Sequence, residues 1–191
     1  GERQSAKDDG YCNTHKYQVE SKYFSDYYNP VVGDSFYPAR DALISGDIFM
    51  AVMSNKDDAS VRHISFRGTS LETYGMDTAV AQDFDPKCPG KSAFDAYKKS
   101  LVDYVLHDFS GVRTITLSGH SLGGSYSQLM FIEILKKIEA EDMAFNNLET
   151  VNLMLYASAG IDDESEEESA RLIGCLLGRT DIKINIMLAF R

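Results

Sequence analysis

The chain has 191 residues, 43% hydrophobic and 25% charged, which suits one domain with a proper core. Its 29 acidic residues against 19 basic ones give a net charge of −10. That argues against a nucleic-acid binder, which would need a basic face, and disfavours attraction to anionic membrane surfaces.

Residues 1–30 read as an N-terminal arm, polar at first and too poor in apolar residues for a signal peptide. Five aromatics between Tyr17 and Tyr28 are costly to leave in water, so some are expected to pack on the domain; Pro30 ends the arm. Tyr37 to Ile44 is expected to form a short helix. Asp47 to Met53 and Val61 to Phe66 read as strands joined by the polar turn SNKDDAS, a hairpin. Thr69 to Gly90 has no firm period and reads as a long excursion with one short helix.

From Ser92 to Phe109 the apolar residues Phe94, Tyr97, Leu101, Val102, Val105, Leu106 and Phe109 recur at helical spacing, and Gly111 stops the helix. Thr114 to Ser118 reads as a short buried strand. Leu122 to about Ala140 is helical again, and its small early residues allow close approach to a sheet. Val151 to Ser158 is a strand and Ser165 to Gly174 a short helix. In Asp181 to Phe190 the residues Ile182, Ile184, Ile186, Leu188 and Phe190 share one strand face. This alternation predicts an α/β fold with a parallel sheet, which the hairpin extends with antiparallel strands into a mixed, mostly parallel one. No apolar run approaches the ~18 residues of a membrane span.

The cysteines, Cys12, Cys88 and Cys175, are odd in number and sparse, so they describe no disulfide framework; a single disulfide stays open, and with it the compartment. No C-x-x-C or histidine cluster suggests a metal site, and no cofactor is expected.

The stretch LSGHSLGGS, Leu117 to Ser125, contains a G-x-S-x-G pattern. Such a turn holds its serine, here Ser121, in an unfavourable backbone conformation between a strand and a helix. Gly119 and Gly123 must be small so that the two elements approach. The helix after Ser121 aims its N–H groups at the hydroxyl, and the N–H of Leu122 is placed to stabilise an oxyanion. Read blandly, this is a glycine-rich turn with an ordinary serine; the strand before it and the helix after it favour the nucleophile elbow.

A second donor is expected from Phe66-Arg67-Gly68-Thr69. Gly68 permits a sharp turn, and the backbone N–H and hydroxyl of Thr69 are both expected to face the oxyanion. Alone, these four residues are a strand-ending turn with a surface arginine. Followed by Gly119 to Gly124, they carry more weight.

Together, FRGT and GHSLGG resemble the class 3 lipase family, the fungal-lipase-like α/β-hydrolases, over roughly Gly46 to Arg191. The resemblance implies an α/β-hydrolase-like three-layer sandwich and cofactor-free hydrolysis of lipid or other carboxylic esters. Transient contact with a lipid surface would accompany such chemistry. The excursion from Ser70 to Gly90 falls where those enzymes carry a lid, with Asp77 at the position of an aspartate common there. Asn152 to Tyr156 resembles the strand after the nucleophile helix. The sequence departs from the family after that strand, with Ala157 to Asp163 (ASAGIDD) in place of a Pro-Arg-Val-Gly-like turn.

A serine nucleophile needs a base. The four histidines, His15, His63, His107 and His120, all precede Ser121. His120 belongs to the elbow and should project away from Ser121. His63 reads as a satisfied strand residue, His107 as solvated near a helix end, and His15 lies in the arm. The resemblance places the acid just after the strand Asp181 to Phe190, so acid and base are expected beyond Arg191 and the chain is expected to be incomplete. Asp162 or Asp163 would serve in a rearranged triad, but DDESEEE reads more simply as a solvated acidic segment. It lacks the spacing of a calcium loop. Two rival readings are an inactive lipase-like module that binds a lipid or protein, and an interaction protein whose segment Asp162 to Glu168 meets a basic partner.

Overall fold

A computed structural model describes residues 28–30, 48, 50–55, 58–69, 83–106, 109–178 and 181–189. Strands are β1 (Tyr28–Pro30), β2 (Met50–Asn55), β3 (Val61–Phe66), β4 (Thr114–His120), β5 (Thr150–Tyr156) and β6 (Lys183–Ala189). Helices are α1 (Lys91–Val105), α2 (Leu122–Glu139) and α3 (Asp163–Leu177), with a 3-10 turn at Met143–Phe145. The strands form one sheet in the order β1-β2-β3-β4-β5-β6. β1, β2 and β3 pair antiparallel, while β3, β4, β5 and β6 pair parallel. The fold is α/β with a mixed, mostly parallel sheet.

Alternation along the strands gives the sheet two different faces. On one, Met50, Val52, Ile64, Phe66, Ile115, Leu117, Val151, Leu153 and Leu155 are buried. The apolar stripes of the helices cover it: α2 lies across β3, β4 and β5, between α1 and α3. Phe66 and Tyr126 pack with ring centroids 6.0 Å apart, a contact that adds roughly 0.5–1.5 kcal/mol beyond their area burial. Arg62 is also on this face and only 3% exposed. Its Nη1 donates to the Val105 carbonyl at 2.9 Å, and its guanidinium lies 5.3 Å from the Phe109 ring centre. The charge thereby satisfies a carbonyl at the C-terminal end of α1 that no intrahelical donor reaches.

The other face is polar and half-buried. Asn152 Nδ2 donates to Thr116 Oγ1 at 3.1 Å, and Asn185 Nδ2 donates to Asn152 Oδ1 at 2.9 Å, so a ladder of side chains crosses β4, β5 and β6. His63 Nε2 lies 2.8 Å from Ser118 Oγ on the same face.

Element bounds differ from the sequence expectations for identifiable reasons. β2 begins at Met50 and runs through polar Ser54 and Asn55, because backbone pairing with β3 sets its extent more than apolarity does. Part of the expected arm is the short strand β1, which pairs with β2. β4 continues to His120 and therefore delivers the chain directly to Ser121. α1 ends at Val105, four residues early, although Phe109 beyond it is still buried. α3 is longer than expected at both ends and includes most of the acidic run. β6 follows β5 in parallel, with Ile186, Met187 and Leu188 about half exposed. The expected helix at 37–44 lies outside the described residues, as do residues 70–82 of the excursion Thr69 to Gly90 expected to hold a short helix, and Cys12, His15, His107 and Asp77.

Candidate functional site

Ser121 stands between β4 and α2 with φ 54° and ψ −125°. This left-handed-side backbone is rare for a residue with a side chain and costs on the order of 1–3 kcal/mol. Its neighbours hold it there. The Ser121 N–H donates to the Tyr156 carbonyl at 3.1 Å, and the Ser121 carbonyl accepts from Gly124 at 2.8 Å and from Ala159 at 3.3 Å. The side chain is partly accessible.

Glycine is required on both sides of the turn. A Cβ on Gly119 would strike the Gly123 carbonyl, and one on Gly123 would strike the Phe66 carbonyl at the end of β3. In both cases the obstacle is backbone, which cannot rotate aside. α2 therefore begins with its first turn pressed between β3 and β4. Leu122 is its first residue, and N–H groups in a helix's first turn have no acceptor within the helix. The Leu122 N–H is thus available beside the Ser121 side chain, while the Leu122 side chain is buried.

The end of β3 reaches the same place. Gly68 lies so close to the elbow that an added Cβ would be 2.6 Å from the His120 carbonyl oxygen. Thr69 follows, and its hydroxyl donates to the Asp83 carboxylate at 2.8 and 3.0 Å. The hydroxyl is therefore turned to Asp83, whose carboxylate is a charged acceptor. The backbone N–H of Thr69 is the group left for that role. Sequence reasoning missed Asp83, since nothing in an aperiodic excursion marks which acidic residue folds back. Phe84, next in the chain, is 81% exposed.

Among the described residues no histidine bonds to Ser121. His63 Nε2 is engaged with Ser118 on the polar sheet face, and burial pulls the imidazole pKa down to about 4, so the ring is neutral at pH 7. His120 is exposed at the end of β4, its Nδ1 on the Gly68 side.

Asp162 is committed elsewhere. It caps α3, accepting from the Ser165 N–H at 2.9 Å and the Ser165 hydroxyl at 2.8 Å, and it takes the Cys88 thiol at 3.5 Å. Burial raises its carboxyl pKa, but the Ser165 bonds outweigh that and leave it below the ordinary value. Asp163, Glu164 and Glu166 form the first turn of α3, where the helix dipole favours negative charge. The acidic run is thus a helix start. Burial is the main cause that pushes the Cys88 thiol up to about 11, which makes it a poor nucleophile.

A groove of about 1,430 Å³ runs between α1 and α3 over α2, but Ser121, Leu122 and Thr69 do not line it. Its lining charges are largely paired, as in Lys91 with Asp95 and Arg171 with Glu168. No helix among the described residues is long and apolar enough to cross a membrane. No family model, no curated protein and no solved structure matches this chain.

Proposed function

We propose that the protein is a serine hydrolase acting on carboxylic esters, lipid esters among them, with Ser121 as nucleophile on an α/β-hydrolase-like three-layer sandwich. The observation that carries this reading is the strained Ser121 backbone at a strand-to-helix turn packed too tightly for any residue but glycine at 119 and 123. Ser121 Oγ attacks the ester carbonyl and loses its proton to a base. The oxyanion forms against the backbone N–H groups of Leu122 and Thr69, the alcohol departs with a proton, and water then releases the acyl group. Asp83 orients Thr69 throughout. The class 3 lipase resemblance puts acid and base after the strand that is β6 here. β6 runs parallel to β5 and ends beside Tyr156 and Ala157, on the edge where Ser121 stands. That topology supports the assignment.

A second reading, a non-catalytic lipase-like module that binds a lipid or protein, is favoured by the lack of a histidine partner for Ser121 among the described residues. One experiment separates the two. A fluorophosphonate probe should label the natural full-length protein, and Ser121→Ala should abolish labelling. No labelling of the wild type favours the module; equal labelling of the variant removes Ser121 from the nucleophile's role.

A further inference from the structure

The loop leaving β5 is where the sequence departs from the class 3 lipase pattern, and it touches the elbow at several points. β5 ends at Tyr156, whose carbonyl takes the Ser121 N–H. Three residues on, the Ala159 N–H returns to the Ser121 carbonyl. The loop thus holds the peptide groups on both sides of the nucleophile. To do so it turns sharply, with Ala157 at φ 43° and Gly160 at φ 85°. An alanine in that region is unfavourable on its own, so something outside the loop must stabilise the turn.

Ser158 is the residue placed to do it. Its Oγ accepts from Gln128 Nε2 on α2 at 2.9 Å and from the Gly160 N–H at 3.3 Å. Its Cα, Cβ and Oγ lie against Gly124, where an added Cβ would stand 2.9, 2.6 and 2.5 Å from them. The same Gln128 Nε2 also reaches toward the Gly124 carbonyl at 3.5 Å. Ser158 is therefore fastened to the first two turns of α2, the helix that Ser121 caps.

We propose that Ser158 is a positioning residue for Ser121: with Gln128 it locks the β5–α3 loop onto α2, so that Tyr156 and Ala159 hold the nucleophile in its strained conformation. The inference rests on the reading of Ser121 as a nucleophile. Loss of the Gln128–Ser158 bond frees the loop to relax, and Ser121 then samples less strained conformations in which Oγ is misaimed. The defect belongs to the reactive step and leaves ester recognition alone.

The test uses two variants, Ser158→Ala and Gln128→Met, each removing one side of the bond, and their double variant. Two readouts are taken on the full-length protein: the saturation kinetics of fluorophosphonate labelling, and hydrogen exchange at the Ser121 and Ala159 amides. Each single variant should lower the maximal labelling rate about 5- to 10-fold, with the half-saturating probe concentration unchanged. The double variant should be no slower than the worse single one, because the same bond is lost. The Ser121 and Ala159 amides should exchange at least tenfold faster, while the Leu117 amide inside β4 stays protected. Unchanged amide exchange in both variants overturns the proposal, as does faster exchange with an unchanged labelling rate. If the wild type is not labelled at all, the nucleophile reading fails, and the positioning role for Ser158 fails with it. The amide data then show only whether the loop is locked.

Discussion

His63 offers a quantitative check that does not depend on the enzyme hypothesis. Its imidazole sits on the polar sheet face beside Ser118, and burial lowers its pKa from an ordinary 6.5 to about 4. The unfolded chain therefore binds a proton more readily than the folded one. Stability contributed by the neutral ring is fully present above about pH 6.5 and is lost as pH falls toward 4. At 1.36 kcal/mol per pH, the whole gap is roughly 3 kcal/mol, of which about 2.5 kcal/mol is gone by pH 4.5. Against a domain stability of about 5–15 kcal/mol this is a large share. The assay is urea unfolding between pH 7 and 4.5 for the wild type and for His63→Gln, whose amide retains a partner for Ser118. Carboxylates such as Asp85, Asp142 and Asp162, also held below their ordinary values, contribute acid lability common to both proteins. The difference between the two curves isolates His63, and the wild type should lose about 2.5 kcal/mol more. Parallel curves would show that His63 is solvated and the argument wrong.

Asp83→Ala should slow labelling of Ser121 about tenfold by releasing Thr69, since hydrogen bonds to charged groups contribute roughly 1.5–3 kcal/mol; an unchanged rate would reduce the Thr69–Asp83 pair to a surface contact. Gly123→Ala should destabilise by at least about 2 kcal/mol in urea unfolding, because its Cβ meets backbone of β3, whereas Gly174→Ala, inside α3 with open space around it, should stabilise by about 0.5–1 kcal/mol. Equal effects from these two would contradict the packing described at the elbow. Asp162→Ala should cost about 1–2 kcal/mol through loss of the α3 cap and speed the reaction of Cys88 with a thiol reagent; a Cys88 as slow as in the wild type would mean that the cap does not shield it.

The elbow was legible in the sequence because its constraints are local. Gly119, Ser121 and Gly123 lie within five consecutive residues, and steric exclusion between a strand and the helix it feeds specifies them. The alternation from Ser92 onward gave the α/β class for the same reason, since each element's period is internal to it. Asp83 and Ser158 were not legible. Asp83 reaches Thr69 across an aperiodic segment, and Ser158 matters only because Gly124 and Gln128 on a separate helix come to meet it. Nor could composition reveal that the acidic run is a helix start: Asp162 becomes a cap only once Ser165 folds back onto it. Strand ends shifted wherever a neighbouring backbone, rather than a side-chain pattern, decided how far pairing ran, as at Ser54 and His120.

Among the described residues, β6 is the last strand of the sheet, and it carries one charge, Lys183, in seven residues. Ile186, Met187 and Leu188 are half exposed along it, and Leu177 at the end of α3 is 62% exposed. A strand edge of this composition, where nothing covers it, is a template on which another strand can add. The net charge of −10 opposes such contact between copies, a repulsion that acts before any two edges touch. Salt shortens the reach of that repulsion to roughly 8 Å at 0.15 M. Colloidal stability is therefore set by ionic strength, and the protein should be best behaved in dilute buffer well above its isoelectric point near 4.8.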